Sequence, residues 1–455
     1  MERTDQKAQG LSKARLSSIF DAGTFVELGA YTKRAGAQND LESVVCGYGA
    51  VNGRLVFAFL QDSGRTKGAF GERHAKKIAS LYGLAVQNGA PIIGVFDSAG
   101  TVVYDGAQAL AAYGRLMKNI SDASGIVPQI AVIDGVCGGS CAVAASMFDF
   151  VVTVKGKSEL FVNAPFAVGE AVSAPAQGLS AYDAENEADA FGFVRSLLGV
   201  LPQNNAERSV TEASDDLNRK VSFDPASYEA EALAAMLADG GRVIRLYRDY
   251  TAGALFGFAF FGGVLTGIMA CDPKEKGILD IKTARAFTKL LSFCDSFSIP
   301  VVNLVDSEGL DVTAEAERAA YASELARLAM VYTSSKNAKI SVVIGKAYGG
   351  AFTLLGSKSV GADMAFALPD ACVSVLSPKS SVAFVWNDKV GEQSREALAV
   401  EWKNTYGSAR NAADEGEIDD IIDPSELRQR ICAAVGMLSV KAEGKPERKH
   451  VALPL

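Results

Sequence analysis

The feature that most constrains this chain is a repeat at long range. VCGYGAVNGRLVFAF (45–59) and LFGFAFFGGVLTGIM (255–269) are both strand–turn–strand runs, with Gly47/Gly257 and Gly53/Gly263 each 210 residues apart. GAPIIGVFDSAG (89–100) matches SIPVVNLVDSEG (298–309), with Pro91/Pro300 and Asp97/Asp306 209 apart. IAVIDGVCGGSC (130–141) matches ISVVIGKAYGGA (340–351), where Gly135/Gly345 and Gly139/Gly349 are again 210 apart. A near-constant offset held over so long a stretch marks one domain duplicated.

Each copy repeats the same order. An apolar hairpin is followed by an amphipathic helix, with Ile78, Leu81 and Ala85 in the first copy and Phe287, Leu290, Leu291 and Cys294 in the second, at three- and four-residue steps. An apolar run ending in Asp-Ser comes next, then a second helix (110–123; 314–334), then a β-rich run ending in a glycine cluster. Continuous apolar strands alternating with helices predict an α/β architecture with largely parallel pairing. The 455 residues therefore divide into domains 1–210 and 211–455. The polar stretch 203–224 reads as the linker, and 167–190, rich in small residues, as a loop or lid over the first half. Leu255–Cys271 carries no charge over 17 residues, the bottom of the membrane-spanning range, but Gly262-Gly263 at its centre predicts a buried hairpin instead.

Composition removes several classes of function. There are 45 Lys+Arg against 53 Asp+Glu, a net charge of −8 spread along the chain, so the basic footprint of a nucleic-acid binder is missing. With two histidines, His74 and His450, no poly-His metal site can be built, no metal is expected, and a serine–histidine pair would have to use His74. Seven cysteines without a Cys-x-x-Cys pair indicate a reduced setting. The polar, mixed-charge start MERTDQKAQGLSKAR is neither a secretory signal nor a transit peptide, so a cytoplasmic protein without membrane insertion is expected.

The chemical signal lies in the glycine clusters, Gly135-Val-Cys-Gly138-Gly139-Ser140-Cys141 and Gly345-Lys-Ala-Tyr-Gly349-Gly350-Ala351. A strand-to-helix turn of this composition lets another group approach the backbone and aims successive amides at one negative oxygen. A turn required only for packing is the alternative. No Gly-x-x-x-x-Gly-Lys-Ser/Thr motif is present, which disfavours phosphate cradling. Ser140 lacks the Gly-x-Ser-x-Gly elbow and an evident base, which disfavours a nucleophile.

With RLSSIFDAGTFVELG (15–29), GIVPQIAVIDGVCGG, VLPQNN (200–205), FCDSFSIPVVNLVDSEG, ISVVIGKAYGGAF and the ending KPERKHVALPL, the chain resembles the carboxyltransferase (beta) subunits of biotin-dependent acyl-CoA carboxylases of the propionyl-CoA carboxylase type, and also the alpha subunits of biotin-dependent acyl-CoA decarboxylases. The resemblance implies two tandem crotonase-like domains, the first taking acyl-CoA and the second carboxybiotin on a separate carrier protein. It implies a biotin carboxylase and biotin carrier subunit as partners, and dimers that pair unlike domains and assemble into a hexamer. The implied reaction transfers CO2 between carboxybiotin and a short-chain acyl-CoA through an enolate. By motif position, amides of Gly139 and Ser140 would hold the thioester oxygen, and those of Gly350 and Ala351 the biotin ureido oxygen. Gly138, Ala99, Gly100, Arg65 and Lys67 would meet the acyl-CoA, while Tyr348, Gly349, Phe352 and Thr353 would meet biotin.

The chain departs from the family pattern at several points. It has Ser140 where a second glycine is usual, Ala99 and Val102 in place of glycine and arginine, Glu308 in place of proline, and Ser377-Pro378-Lys379-Ser380-Ser381 for Gly-Ala-Glu-Gly-Ala. Two other readings therefore stand beside the first: a non-catalytic carboxyltransferase-like scaffold, and a biotin-independent crotonase-type enzyme using Asp62 or Asp105 as base.

Overall fold

The computed structural model describes residues 11–34, 41–441 and 452–454, which leaves His450 and most of the 445–455 ending outside the described residues. The chain divides into two compact units, Met1–Arg208 and Ser209–Leu455.

In the first unit, the hairpin strands β2 (Val44–Val51) and β3 (Arg54–Gln61) follow a short β1 (Val26–Leu28), and all three pair antiparallel. Helix α1 (Glu72–Asn88) then leads to β4 (Ile92–Ser98), α2 (Ala107–Ala123) to β5 (Gln129–Gly138), and the short α3 (Ser140–Ser146) to β6 (Phe150–Val154). β7 (Glu159–Phe161), β8 (Tyr182–Ala184) and α4 (Glu187–Leu198) complete the unit. The sheet order is β1-β2-β3-β4-β5-β6-β8 with β7 also on β5, and every pairing from β3 onward is parallel.

The second unit repeats this plan. Helix α5 (Ala230–Leu237) and β9 (Val243–Leu246) precede the buried antiparallel hairpin β10 (Ala254–Phe261) and β11 (Val264–Cys271). Helix α6 (Ile281–Ser296), β12 (Val301–Ser307), α7 (Tyr321–Ser334), β13 (Lys339–Tyr348) and α8 (Gly349–Gly356) follow. β14 (Met364–Ala367), β15 (Cys372–Ser374), α9 (Pro378–Val385), α10 (Arg395–Trp402), β16 (Asp420–Ile421) and α11 (Leu427–Leu438) close it. The sheet order β9-β10-β11-β12-β13-β14-β16, with β15 on β13, is that of the first unit strand for strand. The apolar hairpin is thus an internal element, and no helix among the described residues is long and apolar enough to cross a membrane.

The periodic residues do what their spacing implies. Ile78, Leu81 and Ala85 of α1 are buried, as are Phe287, Leu290, Leu291 and Cys294 of α6. Asp280 starts α6 by accepting the Thr283 amide at 2.7 Å, and Gly89 ends α1 in the left-handed region at φ +59°.

Two local expectations change. The stretch 203–224 is pinned at two points, one in each unit. Asn204 donates to the Gly89 carbonyl (2.9 Å) in the first unit, and Thr211 donates through its amide to the Gly263 carbonyl (2.8 Å) in the second. Residues 167–190 are not one open loop, since they include β8 and the start of α4.

Candidate active site at two strand-to-helix turns

Both glycine clusters are built the same way. β5 and β13 run through ten residues with one inside–outside pattern, buried to the sixth residue and half-buried at the tips. Gly139 (φ +60°) and Gly349 (φ +58°) then swing the chain into α3 and α8. A side-chain-bearing residue held there would cost about 1–2 kcal/mol. The residues that follow, Ser140 and Gly350, are exposed, and the next, Cys141 and Ala351, are buried. As first-turn residues, these four carry amides with no carbonyl of their own helix to meet. Ser140 is not among the residues with positive φ, so a serine fits where the family pattern has glycine.

The structure revises one donor. The Gly139 amide donates to the Phe161 carbonyl at 2.9 Å, continuing the β5–β7 ladder into the turn, so it is not available to a thioester oxygen. The 210-residue offset places Ser140/Cys141, not Gly139/Ser140, opposite Gly350/Ala351. Gly138 also has a packing role, because a Cβ there would come 2.7 Å from the Phe161 ring.

Beneath the two turns packs a pair of carboxylates to which sequence reasoning gave no role. Strand register shifts between Phe96 and Ser98 on β4 and between Val305 and Ser307 on β12, so Asp97 and Asp306 sit at equivalent irregularities. Their carboxylates tuck under Gly135 and Gly345, where a Cβ would lie 2.1 Å from Asp97 Oδ1 and 2.6 Å from Asp306 Oδ2. Asp306 Oδ1 accepts the Lys346 amide at 2.9 Å, and Oδ2 accepts the Tyr228 hydroxyl at 3.2 Å. Burial raises the Asp306 pKa, and the Lys346 amide works against that rise. The matched offsets of Asp97/Asp306 and Gly135/Gly345 were the signal that could have revealed this support.

The candidate acyl-CoA residues are brought together. The Ala99 amide donates to the Lys67 carbonyl (2.9 Å) and the Phe70 amide to the Gly100 carbonyl (2.8 Å), so loop 65–70 lies along 99–101. The second unit repeats these bonds from Glu308 to Lys276 and from Leu279 to Gly309. Arg65 faces inward, its side chain 10% exposed and 3.4 Å from Asp62, whereas Lys67 is exposed. That leaves Lys67 as the cation presented to solvent in this loop.

In the second unit the turn opens on a cavity of about 960 Å³. Tyr348, Gly349 and Gly350 line it, with Leu310 beside them and Ser377 and Lys403 opposite. Burial raises the Tyr348 phenol pKa, as does neighbouring Cys372. Phe352 and Thr353, farther along α8, are not part of the lining. In the first unit a cavity of about 530 Å³ is lined by Phe161 and Val162, the strand end beside Gly138–Gly139, and by residues of 168–179 from the supposed lid.

His74 is fully buried within α1, its ring 4.7 Å from Phe70 and its Nδ1 3.5 Å from Ser43 Oγ. Burial lowers its pKa to about 3, with Lys77 adding to the effect. A folded-state pKa depressed below the unfolded value stabilises the fold above about pH 6.5, and that contribution is lost as pH falls toward 3. Between pH 7 and pH 5 the first unit should lose about 2 kcal/mol more than a His74→Gln variant. Hydrogen exchange of α1 amides at the two pH values measures this, and equal losses would contradict it.

Fold and site together define two tandem crotonase-like domains, each ending a central strand in an amide-presenting glycine turn. The chain belongs to the carboxyl transferase domain family, whose model matches residues 4–453, and it is a carboxyltransferase of a biotin-dependent enzyme family. It is 32% identical to the methylmalonyl-CoA decarboxylase subunit alpha of Veillonella parvula, over 99% of this chain and 94% of that protein. It is 30% identical to the propionyl-CoA carboxylase carboxyltransferase subunit of Haloferax mediterranei, over 99% and 94%. A crystal structure of transcarboxylase 12S, described as a hexamer assembly with methylmalonyl-CoA and methylmalonic acid bound, matches with a TM-score of 0.92 at 28% identity, over 100% of this chain and 95% of that one.

Proposed function

We propose that this chain transfers a carboxyl group between carboxybiotin, carried on a separate protein, and a short-chain acyl-CoA. The first domain takes the acyl-CoA and the second the carboxybiotin. The observation that carries this reading is the pair of equivalent turns: both present exposed first-turn residues, Ser140 and Gly350, and the second opens on a cavity of about 960 Å³, within the range of small-molecule sites.

Carboxybiotin supplies the CO2 and, once it has given that up, a nitrogen basic enough to take the proton alpha to the thioester. The chain's own task is to hold the two oxygens that become negative. In this reading amides of Ser140 and Cys141 hold the thioester oxygen and those of Gly350 and Ala351 the ureido oxygen, fixed in direction before reaction so that no reorganisation is needed. Lys67 supports the CoA moiety from the loop beside Ala99 and Gly100, and Tyr348 and Gly349 bound the biotin side. A biotin carboxylase and biotin carrier subunit are the partners this chemistry requires. The hexamer assembly described for transcarboxylase 12S supports a homo-oligomer here, with a hexamer as the assembly.

The test mixes purified protein with free biotin, unlabelled methylmalonyl-CoA and propionyl-CoA labelled in its propionyl carbons. Label should appear in methylmalonyl-CoA only when biotin is present. Exchange without biotin would favour the biotin-independent enzyme, and no exchange with any acyl-CoA would favour the scaffold.

A further inference from the structure

The two turns differ in one respect that the duplication makes plain. On β13, Lys346 and Tyr348 alternate with buried Ala347, so both side chains leave one face of the strand, and both line the cavity beside Gly349 and Gly350. The Lys346 ammonium meets the Glu308 carboxylate at 2.7 Å, the two side chains 43% and 34% exposed. The Asp306 carboxylate bonds the Lys346 amide, which fixes where this lysine starts. At the matching positions of the first unit stand Val136 and Ala99, neither charged. At this pair of positions, therefore, an ion pair stands beside the second turn and none beside the first.

Other charges face the same cavity. Lys403 donates to the Asp370 carbonyl at 2.7 Å, and Lys379 and Glu396 belong to the opposite wall on α9 and α10. Lys346 differs from these because it stands on the strand that ends in the turn, three residues before Gly349.

We propose that Lys346 holds the transferable carboxylate at the second turn, and that Glu308 is the counter-ion occupying Lys346 until that carboxylate arrives. The inference rests on the function proposed above. It explains why the first turn, which receives a neutral thioester, has no such pair. Binding exchanges one carboxylate for another on the same ammonium, so Lys346 stays paired as the site fills while the partly exposed Glu308 is released to solvent. Glu308 is a positioning residue here, acting only through Lys346.

The experiment uses the full chain, with carboxylated biotin methyl ester as donor and propionyl-CoA as acceptor, so that the donor's only charge is the carboxylate to be transferred. Lys346→Met should raise the donor KM by about tenfold or more, with the propionyl-CoA KM within about twofold of wild type, and Lys346→Arg should restore most of the loss. Glu308→Gln should lower the donor KM by about three- to fivefold, and that gain should vanish in the Lys346→Met background. In the reverse reaction, the KM for uncharged biotin methyl ester should not move in either variant. An equal shift for the uncharged ester, an effect of Glu308→Gln that persists without Lys346, or no shift at all in an active enzyme would overturn the inference alone. A wild-type protein that transfers no carboxyl group to or from biotin would overturn the proposed function and this inference with it.

Discussion

Gly350→Pro should cut carboxyl transfer by about 10²–10³-fold in kcat, or roughly 3–4 kcal/mol of transition-state stabilisation, because the ring deletes one amide hydrogen that the proposed function assigns to the ureido oxygen. Proline is tolerated in the first turn of a helix, so α8 can form without that donor. Gly350→Ala is the companion. Its added Cβ would meet only Leu310 Cδ1 at 3.3 Å, the far end of a flexible side chain, and it keeps the amide, so most activity should remain. Ser140→Pro and Ser140→Ala should divide in the same way at the first turn. Steady-state kinetics with saturating acyl-CoA measures both pairs. A proline variant as active as its alanine companion would mean that the amide is not used.

The second large effect is on stability. Gly277→Ala should destabilise the second unit by about 3–5 kcal/mol, since its Cβ would fall 2.0 Å from the Asp306 carbonyl oxygen at a residue held at φ +53°. Something must shift, and what lies in the way is the backbone that carries Asp306, the carboxylate bonded to the Lys346 amide. Gly416→Ala serves as control. Its φ is +83° but nothing lies within 4 Å of the added atom, so it should cost only about 1–2 kcal/mol of backbone strain. Both tryptophans, Trp386 and Trp402, pack together in this unit at 4.8 Å, so fluorescence during urea denaturation reports on it directly. Equal losses from the two substitutions would show that the contact with Asp306 is not what demands glycine.

Much of the fold could be read from residue spacing. The hairpins, the amphipathic helices and the continuous apolar strands are local patterns, and the duplication tested each copy against the other. The turns were visible for the same reason, since Gly139 and Gly349 must adopt the same left-handed geometry. What stayed hidden depended on partners distant in sequence. Nothing near Gly139 reveals that its amide is taken by Phe161. The support from Asp97 and Asp306 arises from a register shift between parallel strands, which no periodicity records. The polar run 203–224 read as a tether because composition alone does not separate a solvated segment from one pinned through Asn204 and Thr211.

A crystal structure of the protein with propionyl-CoA and biotin bound together bears most directly on the division of labour between the two turns. The thioester oxygen should lie about 2.7–3.1 Å from the amides of Ser140 and Cys141, and the ureido oxygen at the same distance from those of Gly350 and Ala351. Either oxygen found facing side chains or solvent, with those amides turned elsewhere, would contradict the account.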